Sequence, residues 1–143
     1  MKKYLISKII LFFFIVIGIC ACNKDADITE INLAYKMLGD KIWYLEYTQN
    51  TVGSNINTNT FVGQSTYFIN FLKDLTTKDS DGLTGAYSVV KNGDYLRIIV
   101  SAKSINGSNS NYSYNVVSLG ENKMVLMYNT NSSSIKYYYS TRK

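Results

Sequence analysis

Histidine is absent from this 143-residue chain. Without imidazole there is no Ser-His-Asp or Cys-His nucleophilic system, no histidine-ligated zinc and no histidine general acid–base catalysis. Cysteine is nearly absent, with only Cys20 and Cys22. Fifteen basic residues against ten acidic ones give +5 overall, but no run concentrates that charge into the basic face or stripe that nucleic-acid binding requires.

Carboxylates are then the remaining catalytic candidates, since a glycosidase needs only two acids flanking a sugar. Glu46, Asp74, Asp79, Asp81, Asp94 and Glu121 are available, yet most fall at expected turns, where acids face water. A noncatalytic protein without cofactor or bound metal is the expectation. Asp79-Ser80-Asp81-Gly82 has the look of a calcium loop. With Gly82 at the sixth position, however, the first and twelfth ligands would be Thr77 and Ser88, where carboxylates belong. An ordinary turn explains the segment better.

What is present begins at the N-terminus. Lys2, Lys3 and Lys8 precede or begin an apolar run from Ile9 to Ile19, followed by Cys20-Ala21-Cys22. A basic start, a short apolar stretch and small residues before a cysteine form a secretory leader, too short to span a bilayer on its own. Its ending resembles the bacterial lipoprotein signal, in which a small residue precedes the lipidated cysteine. Ala21 fits that position and Ile19, before Cys20, does not, so residues 1–21 are expected to be removed and Cys22 to carry the lipid. The resemblance implies a diacylglyceryl group and usually an amide-linked acyl chain such as palmitate. At about 0.8 kcal/mol per buried methylene, more than one chain makes attachment effectively permanent.

The 122 residues left after cleavage suit one modest domain. Losing three lysines lowers the charge to +2, and the single remaining cysteine permits no internal disulfide. Residues 22–35 are read as a lipidated tether and the start of a short helix, with 23–30 polar. Ile31, Leu33, Ala34, Met37 and Leu38 have helical spacing. Thr29 or Asp27 would cap its start, and Gly39 in a left-handed conformation would end it.

From 41 onward, short runs rich in Tyr, Val, Ile, Phe and Thr alternate with Asn, Gly, Ser and Asp, the chemistry of strands and turns. Strands are predicted at 41–49, 60–72, 83–91, 94–103, 111–119, 123–130 and 134–142, an all-β antiparallel meander. Asn92-Gly93 is the clearest tight turn. Period-two alternation assigns an inner face to Leu83, Tyr87 and Val89, to Leu96, Ile98 and Val100, to Met124, Leu126 and Tyr128, and to Ile135, Tyr137 and Tyr139. Tyr67, Ile69 and Phe71 would join them. The stretches 50–59 and 104–110 read as solvated loops.

Leu38-Gly39 followed by Trp43, with Arg142 near the chain end, resembles the signature of lipocalin-like proteins over residues 36–143. The resemblance implies a small barrel of seven or eight strands in which Trp43 closes one end and Arg142 lies across it as a cation–π pair. It also implies a small apolar or amphipathic ligand, entering among the loops opposite Trp43. Lipocalin-like lipoproteins of this kind are common in Bacteroidetes, whose Asn-, Lys-, Ile- and Tyr-rich, proline-poor composition the chain shares. Another small barrel or sandwich is the alternative architecture.

The expected role is thus a monomeric lipoprotein held by its N-terminal lipid in the outer membrane, facing the periplasm or the exterior. Asn23 lacks the aspartate that resembles an inner-membrane retention signal, and Lys24-Asp25 resembles a surface-export signal. The alternative is a filled barrel that recognises an envelope protein or glycan through its loops, as inhibitor lipoproteins do. Large inward tyrosines such as Tyr87, Tyr128, Tyr137 and Tyr139 would fill it.

Overall fold

The computed structural model describes residues 22–142, and their side chains from Ala26 onward. The expected leader at 1–21 and the side chain of Cys22 lie outside that description. Among the described residues one helix, α1 (Cys22–Leu38), precedes nine strand segments: β1 (Lys41–Val52), β2 (Asn55–Thr60), β3 (Phe68–Phe71), β4 (Thr76–Asp79), β5 (Thr84–Asn92), β6 (Tyr95–Lys103), β7 (Asn109–Leu119), β8 (Lys123–Asn129) and β9 (Ser134–Ser140). Each of β3 to β9 pairs with its predecessor or successor, and β1 pairs with β9 to close the ring. On its other side β1 pairs with β3 through 41–44 and with β2 through 47–52, so β2 and β3 share one position in an eight-stranded antiparallel barrel.

β5, β6, β8 and β9 follow the alternation of their residues, and the boundaries of β5 to β9 lie within two residues of expectation. Tyr87, Val89, Ile98, Val100, Met124 and Leu126 are buried, with Leu83, Leu96, Tyr137 and Tyr139 packed against them. Tyr128 is half-buried on the same inner face. The departures have local causes. The predicted strand 60–72 is broken by residues 61–67, which bulge beside β1 where Phe61 N–H donates to Glu46 O and Leu45 N–H to Tyr67 O. Tyr67 consequently sits outside the core, 40% exposed, against Phe61. The expected loop 50–59 is instead the end of β1, a turn and the fully exposed strand β2. The tight turn is displaced by one residue: Asn92 pairs with Tyr95 as the last rung of the ladder, and Gly93 alone takes a positive φ, 63°.

The helix begins at Cys22, so the stretch read as tether is helical, and Asp27 and Thr29 lie inside α1 and not at its cap. It lies across one end of the barrel. Ala34 and Leu38 are buried, Ile31 and Tyr35 pack beside them, and Leu33 faces outward. Gly39 N–H closes the last turn on Tyr35 O at 3.0 Å, while the left-handed residue is Asp40, φ 57°. Past Ala86, β5 has no partner in β4. There α1 completes its hydrogen bonding: Val89 N–H donates to Tyr35 Oη at 2.8 Å. Lys91 also pairs with Glu30 and Asp27 of the helix.

Trp43 is completely buried at this end, its Nε1–H donating to Leu38 O at 3.2 Å, with Phe71, Leu38, Ile98, Met124 and Leu126 equally enclosed. It plugs the barrel as the resemblance implied. Arg142 does not lie across it. Alternation puts Trp43 inside and Tyr44 outside, and Arg142 continues the outward parity of β9 through Tyr138 and Ser140, so its guanidinium stacks 4.4 Å from the Tyr44 ring centroid. Lys41, inward like Trp43, supplies the cation over the indole at 5.7 Å.

Candidate functional site

The registers give the barrel two unlike ends. Turns 72–75, 93–94 and 120–122 surround the helix-covered end, and turns 53–54, 80–83, 104–108 and 130–133 form the far rim. Inside the far rim lies a cavity of about 210 Å³ lined by Ile69, Thr77, Asp79, Asp81, Leu83, Val100, Ala102, Tyr112 and Tyr114.

The space exists because inward residues become small toward this rim. Along β6 the inner positions run from Ile98 and Val100 to Ala102, and opposite Ala102 stands Gly85. A Cβ on Gly85 would lie 2.1 Å from Ser101 O and 2.5 Å from Ala102 Cα, so the strands approach too closely for any other residue. On β4 Thr77 is buried and lines the cavity, its Oγ1–H donating to Asn70 O at 3.0 Å.

One wall is aromatic. Tyr112 and Tyr114 on β7 face Val100 and Ile98, and Tyr128, Tyr137 and Tyr139 continue the same inner surface on β8 and β9. Tyr114 is the hub: its ring lies 6.2 Å from Tyr112, 6.0 Å from Tyr128 and 6.0 Å from Tyr137, the last edge-on, and Tyr137 stacks on Tyr139 at 6.4 Å. Among the described residues none of these five hydroxyls has a protein hydrogen-bond partner. Burial pushes the phenols of Tyr114, Tyr137 and Tyr139 up, with neighbouring tyrosines adding to the shift. By contrast Tyr87, near the helix end, is satisfied: its hydroxyl donates to Leu72 O at 3.1 Å, and burial, then Tyr35, pushes it up to about 12.

Two carboxylates stand at the mouth. Asp79 Oδ1 accepts the N–H groups of Asp81 and Leu83, each at 2.9 Å, which fixes the β4–β5 turn. Its other oxygen has no protein partner among the described residues. Burial raises the Asp79 carboxyl above the ordinary value, the two N–H donors oppose that, and the charge of Asp81 adds to it. Asp81 is exposed, and neither acid forms an ion pair within 4.0 Å among the described residues.

The other carboxylates are dispersed. Glu46 is on the outer face, accepting from Ser140 Oγ–H and lying 3.9 Å from Arg142 Nε, whose guanidinium also donates to Gly63 O and Gln64 O. Asp74 accepts from Thr76 in the β3–β4 turn; Asp94 and Glu121 sit in turns at the helix end. Only Asp79 and Asp81 of the six come together at a cavity. No group of three or more acids, cysteines or histidines suited to a metal occurs among the described residues. Tyr112, Tyr114, Thr77 and Ala102 were not singled out from sequence. The alternation Tyr112-Ser113-Tyr114-Asn115-Val116 identifies the first two, and a bulge after Val116 shifts the parity so that Leu119 and not Ser118 faces inward.

Compared with known proteins, the chain matches no family model, no curated protein and no solved structure.

Proposed function

We propose that this protein is a lipid-anchored, noncatalytic lipocalin-like lipoprotein of the outer membrane that holds a small amphipathic ligand in the far end of its barrel. The observation carrying the ligand reading is the 210 Å³ cavity with a tyrosine wall and unpartnered hydroxyls, opposite the Trp43 plug. That space suits a single ring with a short arm, since a dry protein cavity of about 150 Å³ accepts benzene. The anchoring reading rests on the Lys-rich start, the apolar run and Ala21-Cys22. The absence of histidine and the scatter of the acids support the noncatalytic reading. Native mass spectrometry of the full-length chain, purified in lipid nanodiscs, tests the first: a small molecule that stays bound and leaves on denaturation is expected, and an apo mass with no stabilisation by a panel of one-ring amphiphiles contradicts it. Intact mass tests the second. A chain beginning at acylated Cys22, released from membranes by Cys22→Ser, is expected.

A second reading, recognition of an envelope protein or glycan through the loops, is favoured by β2. All six of its residues are exposed and one edge is unpaired, an edge to which an extended segment can add. A pull-down from envelope extract that is lost when Thr58 is replaced by proline would establish it.

A further inference from the structure

We propose that the far-end cavity takes an organic ammonium ion: a primary or substituted amine on a body about the size of one ring. The inference rests on the ligand-binding reading above and names the chemical class.

The lining contains two acids and no base. Asp79 is half-buried and Asp81 is exposed, so a ligand entering past Asp81 meets negative charge at the mouth and again deeper in. Asp79 spends one carboxylate oxygen on the turn and keeps the other free. Asp79 lines the same cavity as Tyr112 and Tyr114, so the acid and the aromatic wall face one space. The ion-paired cations are elsewhere, Lys73 on Asp40, Lys91 on the helix and Arg142 on the outer face, and among the described residues none pairs with Asp79 or Asp81 within 4.0 Å. Asp79 therefore keeps a desolvated charge with no protein counter-ion, and a bound cation would supply one.

The rest of the cavity fits the same ligand. Tyr112 and Tyr114 offer ring faces, which attract ammonium through the ring quadrupole. Leu83, Val100 and Ala102 form an apolar wall for the ligand's body. An anion would meet repulsion from both acids without one basic group to offset it, and a neutral molecule would leave the Asp79 charge unanswered.

The test is a charge series on one skeleton: phenethylammonium, phenethyl alcohol and phenylacetate, titrated calorimetrically into the full-length chain in lipid nanodiscs, with empty nanodiscs as the blank. The cation is expected to bind about tenfold or more tightly than the alcohol, a difference of about 1.4 kcal/mol, and the anion most weakly. Asp79→Asn retains an oxygen acceptor for the two turn N–H groups; it should remove most of the cation's advantage and leave the alcohol unchanged. Asp81→Asn should remove a smaller part. Should Asp79→Asn fail to fold, Tyr112→Leu serves instead, weakening the cation more than the alcohol. Equal binding of cation and alcohol, or tighter binding of the anion, overturns the ammonium assignment and leaves the cavity reading standing. Binding by none of the three overturns both.

Discussion

The two ends of the barrel are built from the same strands and differ in what those strands point inward. At the helix end the inner positions are Trp43, Phe71, Ile98, Met124 and Leu126, all sealed beneath Ala34 and Leu38. At the far end they are Thr77, Gly85, Ala102, Tyr112 and Tyr114, the two tyrosines with hydroxyls that find no protein partner. An eight-stranded barrel is just wide enough for side chains to fill. Filling it at one end gives stability; shrinking the residues at the other leaves a cup. The contrast teaches that hollowness here comes from small inward side chains and a close strand approach at Gly85, with the strand number unchanged.

If that contrast is right, substitutions should separate into a severe class and a mild one. Gly85→Val should be the most damaging, because its Cβ would collide with backbone atoms of Ser101 and Ala102 that cannot move without parting β5 from β6. Loss of the β-sheet circular dichroism is the expected result. Trp43→Ala should follow, costing about 3–5 kcal/mol in urea unfolding, with Leu126→Ala at about 2–5 kcal/mol. Tyr112→Leu, of similar reach but at the cup, should cost only about 1 kcal/mol or less. A Tyr112→Leu cost equal to that of Leu126→Ala would erase the distinction between the ends.

Titration sharpens the same comparison. The buried phenols have raised folded pKa values, against an ordinary value of 10.0, with Tyr87 at about 12. A raised folded pKa means stability is fully present below pH 10 and is lost as pH climbs through the folded values. Unfolding between about pH 10 and 12 should accordingly coincide with a late rise in phenolate absorbance; early ionisation of all the tyrosines in a still-folded protein would contradict their burial. Asp79 is raised from 3.8, so its favourable contribution is that of the protonated form, present below pH 3.8 and lost as pH rises through its folded value. Asp79→Asn should therefore raise the melting temperature at neutral pH, by an amount that fades on acidification. The smallest effect belongs to Lys91→Ala, whose ion pairs with Glu30 and Asp27 are solvent-facing; its shift in melting temperature should be slight and should vanish in high salt.

How legible all this was depended on whether inward residues were apolar. β5, β6, β8 and β9 announce themselves because Val89, Ile98, Leu126 and Tyr137 recur at every second position. β4 does not, because its one enclosed residue is Thr77 and its preceding turn holds Leu75 at φ 66° where a glycine or asparagine would have been the signal. β2 is wet on both faces, so Asn55 to Asn59 reads as loop. Trp43 was placed correctly from its signature; Arg142 was misplaced because parity along β9, fixed only by the register to β1, decides which face it takes. At the cup, Asp79 and Asp81 read as turn residues, which Asp79 also is. What sequence spacing could not supply was that the turn closes over an unfilled space.

The central claim is that one end of this barrel is hollow and the other is not. It is tested most directly by methyl-resolved NMR on the full-length chain in nanodiscs with phenethylammonium, reading intermolecular NOEs. Contacts to Leu83, Val100 and Ala102, with none to Val89, Leu126 or Met124, are the result predicted. Contacts at the Trp43 end, or none inside the barrel at all, would contradict it.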